Sequence, residues 1–186
     1  MFFVNLNNKE KRETFEIGQP NTGDINSIIE LQKQVVSHMN TSGWYQVSTP
    51  EEIEQAVNDN QNYLCLSVKH EKKLVAFAYV ILNPDIEHNL YCDLKENGID
   101  FSYDSDDYAI FETSFVSPEY RGYGLQSFLI KALLSWTKLI GKKAICATIH
   151  PDNIYSERNF VKNGYVNITE QPLNKYGNKR NYFIKL

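Results

Sequence analysis

At 186 residues, 42% apolar and 13% aromatic, the chain has the composition of one folded domain with a sizeable core, and not that of a disordered protein. Its net charge of −4 argues against a nucleic-acid partner, and no run of about 18 apolar residues is present to span a membrane. Cys65, Cys92 and Cys146 are odd in number and form no close pair, which points to reduced thiols and a cytoplasmic setting, and Met1-Phe-Phe-Val lacks the basic start of a signal peptide.

In chain order, residues 13–19 read as a short strand and Gln19-Pro-Asn-Thr-Gly23 as a turn. From Asp24 the apolar residues Ile25, Ile28, Ile29, Val35, Val36 and Met39 fall at helical spacing, and Asn40-Thr-Ser-Gly43 is expected to end that helix. Trp44 and Tyr45 follow in a loop. Thr49 as cap, Pro50 next and then Glu51 and Glu52 mark a second helix, ending near residues 58–60. Residues 63–68 alternate as a strand, 74–82 are nearly all apolar like a central strand, and the five residues between suit a hairpin.

Residues 85–107 hold eight acids against one lysine, Lys95. A solvated insertion is the simpler reading. Asp100, Asp104, Asp106 and Asp107, with Tyr91, Phe101 and Tyr103, would alternatively seat a cationic amine. The segment lacks the glycine and final glutamate of a calcium loop, and no Cys/His spacing suits zinc, so no metal is expected. A strand over 108–116 and a helix over 123–140 follow, the helix with a broad apolar stripe and Gly141 as its C-cap. Next come a buried strand at 144–149 and a helix capped by Asp152 or Asn153 and closed by Gly164. Strands at 165–168 and 181–186, turned at 176–178, end the chain. No repeat or linker divides residues 1–186, so one domain is expected.

The chemistry concentrates between residues 108 and 126. Ser117-Pro118 ends the strand, because proline has no amide hydrogen for the sheet. Arg121, Gly122 and Gly124 then fill the turn into the helix. Glycine admits a ligand close to the backbone, and a helix N-terminus offers unpaired N–H groups and partial positive charge, so the turn reads as an anion cradle. A P-loop is excluded by the glycine spacing and the missing Lys-Ser/Thr pair; a dinucleotide fingerprint would need a third glycine where Ser127 stands.

Arg121-Gly-Tyr-Gly124-Leu-Gln126 resembles the Q/R-x-x-G-x-G/A pyrophosphate loop of the GNAT (Gcn5-related N-acetyltransferase) family in five of six places. The sixth, usually small, is Gln126. Asn153-x-x-Ser156-x-x-x-Phe160-x-x-x-Gly164-Tyr165 resembles the family's last helix, with Phe160 in place of tyrosine. The element order β-α-α-β-β-β-α-β-α-β-β is similar to the family's fold over nearly the whole chain. The resemblance implies an α/β (α+β) fold: a mostly antiparallel sheet of six to seven strands with one splayed parallel pair, flanked by about four helices.

It also implies acetyl-CoA as co-substrate and direct transfer to an amine. The backbone of Gly122, Tyr123, Gly124, Leu125 and Gln126 would hold the pyrophosphate, with Arg121 nearby. Phe115 and Val116 would pair with the pantetheine arm, which Asn153, Ser156 and Phe160 would flank. Glu112 is the candidate general base, a carboxylate in an otherwise apolar strand that is costly unless paired or useful. His150 is second to it. Phe160 cannot protonate the leaving thiolate, which leaves water, Tyr155, Ser156 or unassisted departure. The acceptor is expected to be a small-molecule or peptide amine, framed by the first two helices, the acidic insertion and a hairpin with Tyr176 and Arg180. The protein is expected to act as a monomer or homodimer. A non-catalytic acyl-CoA-binding module is the alternative from another class, and a nucleotide-binding protein of another family the third.

Overall fold

A computed structural model describes residues 1–39, 43–84, 90–175 and 178–185. Among them nine strands form one open sheet in the order β1-β2-β3-β4-β5-β6-β9-β7, with β8 paired to β9. The strands are β1 (Phe2–Asn7), β2 (Arg12–Gly18), β3 (Tyr63–His70), β4 (Lys73–Ile81), β5 (Tyr108–Val116), β6 (Ala144–Ile149), β7 (Val166–Asn167), β8 (Leu173–Lys175) and β9 (Asn178–Lys185). The helices are α1 (Ile25–Ser37), α2 (Pro50–Asn58), α3 (Leu90–Glu96), α4 (Leu125–Leu139) and α5 (Ile154–Lys162). Every ladder is antiparallel except β5–β6. The mixed sheet with one parallel pair is the expected architecture, wider by β1 and β8 and with one more helix, α3.

The sheet is buried on two faces. Phe15, Ile17, Leu66, Val68, Ala109 and Phe111 pack under α4 and α5 through Leu125, Leu129, Leu133 and Phe160. Phe77, Tyr79, Ile110, Phe115 and Tyr182 pack under α1 and α2 through Ile28, Leu31, Ile53 and Ala56. The centre, β4, is buried from Leu74 to Ile81, which its unbroken apolar run required.

Local chemistry fixes the element ends. Thr49 and Glu52 form a reciprocal capping box at α2, and Pro50 is its first residue. Beyond α4, the Gly141 amide donates to the Lys138 carbonyl and the Lys142 amide to Thr137, a Schellman closure with Gly141 at φ +92°. The β3–β4 hairpin is tighter than the five-residue loop expected. Its turn is Glu71-Lys72 alone, both at positive φ, so β3 runs on to His70. α1 ends at Ser37, ahead of the expected stop, of which residues 40–42 lie outside the described part. α4 starts at Leu125, two residues later than expected, because Gly124 is left-handed.

The acidic insertion is more than a solvated loop. Leu94 and Phe101 are buried, and Phe101 packs edge-on against Tyr108. The Tyr182 hydroxyl donates to Asp93 Oδ2 at 2.9 Å, and Lys143 pairs with Asp107 at 2.9 Å. These contacts anchor it at the N-terminal end of β5. Residues 85–89 lie outside the described part, as do Tyr176 and Gly177 of the last turn.

Candidate active site between β5 and β6

The parallel β5–β6 ladder runs from Tyr108↔Ala144 to Phe111↔Ala147 and stops there, although β5 continues to Val116 and β6 to Ile149. Beyond that point the strands part. A cleft of about 850 Å³ opens through the gap, lined from both faces of the sheet. Val35, His38, Met39, Trp44 and Tyr45 line it on the α1 side, and Leu125, Gln126, Ser156, Asn159 and Phe160 on the α4–α5 side.

Glu112 stands where the gap begins. Along β4–β5, Val80 pairs with Phe111 and Tyr79 with Thr113, so Glu112 is the extra residue of a β-bulge. The bulge exchanges the two faces of the strand: Phe111 belongs to the α4 side of the core and Phe115 to the α1 side, despite their even spacing. Glu112 is half-buried and lines the cleft. Beside it the Tyr45 hydroxyl lies 2.6 Å from Thr113 Oγ1 and donates to Gln32 Oε1 at 2.8 Å, and the Ser48 amide donates to the same Gln32 oxygen at 3.1 Å. Burial, and next the Glu112 charge, push the Tyr79 phenol well above its ordinary range. Burial and the Glu112 charge likewise raise Tyr45. Both phenols therefore stay protonated.

The far mouth holds the residues of the expected anion cradle. Ser117 is fully buried and its amide donates to the Val75 carbonyl at 2.8 Å, which pins the strand end. A single 3-10 turn over Pro118–Tyr120 leads into Arg121. Gly122 has φ +89° and Gly124 φ +76°. No side chain caps α4, whose first helical bond runs from the Phe128 amide to the Gly124 carbonyl at 2.9 Å. The amides of Leu125, Gln126 and Ser127 thus precede the helical ladder and are available to an anion. A Cβ added at Gly124 would meet no heavy atom within 4 Å, so crowding by the protein does not explain this glycine; φ and the open face do.

A family model described as "Acetyltransferase (GNAT) family" matches residues 28–165. The chain belongs to that family. Solved structures with this fold include a GNAT-family acetyltransferase from Streptococcus pneumoniae, with TM-score 0.69, 16% identity and coverage of 92% of this chain and 98% of that one. They also include yncA, a putative acetyltransferase from Salmonella typhimurium with its cofactor acetyl-CoA, with TM-score 0.67, 18% identity and coverage of 92% of each chain. The paia N-acetyltransferase from Thermoplasma acidophilum, in complex with coenzyme A, has TM-score 0.66, 15% identity and coverage of 92% and 98%. No curated protein sequence matches the chain.

Most of the GNAT motif residues meet at the cleft. Glu112, Phe115, Val116, Arg121, Gly122, Gly124, Leu125, Gln126, Asn153, Ser156 and Phe160 all line it. Tyr123 does not. Its ring is 4% exposed and packs edge-on against Phe15 at 5.3 Å, so only its backbone belongs to the loop. The Asn153 side chain accepts from the Ser156 amide at 3.2 Å and caps α5. Phe160 is held edge-on between Phe111 and Tyr165, while Tyr155 lines the cleft rim with 68% exposure. His150 does not line the cleft but stands behind Trp44, which does: its ring stacks on Trp44 and its Nδ1 accepts from the Asp152 amide at 3.2 Å.

Among the described residues of the acidic insertion none lines the cleft: Asp100, Asp104, Asp106, Asp107, Phe101 and Tyr103 all lie away from it, and the Tyr91 side chain lies outside the described part. Arg180 does line it, 3% exposed, with Nη1 donating to the Gly43 carbonyl at 2.8 Å. Thr113, Ser114 and Asn159, which belong to neither motif, also line the cleft, through the bulge and the α5 surface. Spacing from Asn153 by helical turns could have found Asn159; nothing short of the β4–β5 register could have found the other two. Among the described residues, no three His, Cys, Asp or Glu side chains come together as a metal site, and no helix is long and apolar enough to cross a membrane.

Proposed function

We propose that this GNAT protein transfers an acetyl group from acetyl-CoA to a primary amine of a small molecule or peptide, in a ternary complex. The observation that carries this reading is one continuous cleft, with an anion cradle at Gly122–Gln126, a gap between two parallel strands, and a bulged carboxylate at Glu112. Two proteins of this fold have been solved with acetyl-CoA or coenzyme A, and the cleft is large enough for an extended arm to pass from the cradle to the bulge.

The thioester supplies an activated acetyl carbon. An alkyl amine with a pKa near ~10 must lose a proton to attack, and Glu112 takes it, directly or through one water. As the C–N bond forms, a backbone amide at the end of β5, near Val116, stabilises the carbonyl oxygen. The C–S bond then breaks. A thiol pKa near ~8.5 makes the thiolate a tolerable leaving group, which matters because Phe160 carries no hydroxyl. Tyr155, on the rim, is the nearest phenol on the same helix.

The absent hydroxyl at Phe160 favours a second reading, a non-catalytic acyl-CoA-binding module. Calorimetry with acetyl-CoA, followed by thiol release across a panel of amines in the same sample, separates the two. Binding with release on one amine class supports the enzyme. Binding without release on any amine supports the module. No binding overturns both.

A further inference from the structure

Gln126 stands where the family's loop usually has a small residue, and its side chain is built into the cleft. Asn159 Nδ2–H of α5 donates to Gln126 Oε1 at 2.7 Å. That bond turns the carboxamide so that Nε2 faces the gap. Its hydrogens reach two acceptors, Ser114 Oγ of β5 at 3.1 Å and Ser156 Oγ of α5 at 3.4 Å. The first distance sits at the long end of the N–H···O range and the second beyond it, and both hydroxyls can rotate. Next to it, Asn163 Nδ2 bridges Ser127 Oγ at 3.0 Å and the Asn159 carbonyl at 2.7 Å, so α5 is stitched to α4 without help from Gln126 Nε2.

By its backbone Gln126 belongs to the anion cradle, and by its side chain to the gap. A ligand running from one to the other passes over it. We infer that the Gln126 carboxamide, held by Asn159, is a recognition group for an amide on that ligand. Nε2–H donates to the amide carbonyl, and Ser114 or Ser156 Oγ accepts from the amide N–H. The inference rests on the acyl-CoA reading above, since the amides meant are those of the extended arm of acyl-CoA. On binding, Nε2 exchanges its long bonds to the serines for a bond to the ligand. The protein's own contacts between α4 and α5 stay in place.

The test compares two ligands that share the cradle and differ in the arm: acetyl-CoA, and 3′-phospho-ADP, which has the phosphates and no arm. Calorimetry gives their affinity ratio for the wild type, Gln126→Met, Gln126→Ala and Asn159→Asp. Gln126→Met keeps the volume without the donor. Asn159→Asp puts an acceptor opposite the carboxamide and turns Nε2 away from the gap. All three should weaken acetyl-CoA relative to 3′-phospho-ADP by about two- to tenfold, the effect of one neutral hydrogen bond. An unchanged ratio in Gln126→Met, or a parallel loss of both ligands in all three variants, overturns the inference, the latter showing that the residue only shapes the cradle. A wild type that binds neither ligand overturns the acyl-CoA reading itself, a different result.

Discussion

Replacing Gly124 by alanine separates what the glycine does for the fold from what it does for a ligand. At φ +76° an L-residue is strained by roughly 1–2 kcal/mol. No clash adds to this, because a Cβ there meets no heavy atom within 4 Å. For a domain of this size about 1 kcal/mol shifts the unfolding temperature by about 2–4 °C, so Gly124→Ala should melt about 2–8 °C lower and remain folded. The same methyl group would stand at the N-terminus of α4, in the wall of the cleft, where an anion comes closest to the backbone. Losing one hydrogen bond to a charged phosphate is worth about 1.5–3 kcal/mol, or about a 10- to 150-fold weaker acetyl-CoA affinity. Calorimetry beside a circular-dichroism melt reads both numbers. A variant that melts lower as expected yet binds acetyl-CoA as tightly as the wild type would refute the cradle.

Glu112→Gln keeps the shape of the bulge and removes the proposed base. Turnover should fall about 10²–10⁴-fold with acetyl-CoA affinity unchanged, and retained turnover would take Glu112 out of that role. Tyr45→Phe deletes the bonds to Thr113 and Gln32, which are 4% and 3% exposed, and should cost about 1–3 kcal/mol in urea unfolding; no loss would mean that water replaces the phenol. Burial pushes the Cys65 thiol from 9.0 up to about 12, and Cys146 moves the same way. The folded state therefore keeps protons that the unfolded chain releases. This stability is fully present below pH 9 and is lost as pH rises from 9 toward 12, at up to about 1.4 kcal/mol per pH unit for each thiol. The urea midpoint should be lower at pH 10 than at pH 8, and Cys65→Ser should flatten that slope; an equal slope would contradict the assigned burial effect.

The segment from β5 to α4 was legible because its signals are local: β-branched and aromatic residues, a proline stop, two glycines and an apolar helical stripe. The edges were not. Phe2–Asn7 carries two asparagines, and no residue in it is fully buried; only its six-residue register with β2 makes it a strand. α3 hid in an acidic stretch whose fixed points, Leu94 and Phe101, are too few to show a period. Tyr123 was taken with the loop for its backbone amide alone, and nothing local in the sequence placed its ring. Its neighbour Phe15 comes from β2, far off in the sequence, and with Tyr120 of the preceding turn draws the ring inward. Of the site, the motif residues were readable, and Asn159 lay within reach of helical spacing from Asn153; Thr113 and Ser114 carry no signal until the β4–β5 register is placed.

One irregularity, the bulge at Glu112, accounts for the chemistry that the two faces of the cleft can perform. Up to Phe111 the strand sends odd residues toward α4 and even residues toward α1. After the bulge the assignment reverses. Thr113 meets Tyr45 on the α1 side, and Ser114 meets Gln126 on the α4 side. A regular strand would turn the Ser114 hydroxyl into the apolar layer around Ile28 and Phe77, and Phe115 toward the cradle. The ladder to β6 ends at the residue before the bulge, so the same step that swaps the faces also opens the gap between them. A polar donor wall, a passage through the sheet and a half-buried carboxylate thus have a common origin in one extra residue. A glutamine at that position could keep the bulge, but its amide accepts no proton near neutral pH. This is why Glu112 is the residue on which the enzyme reading turns.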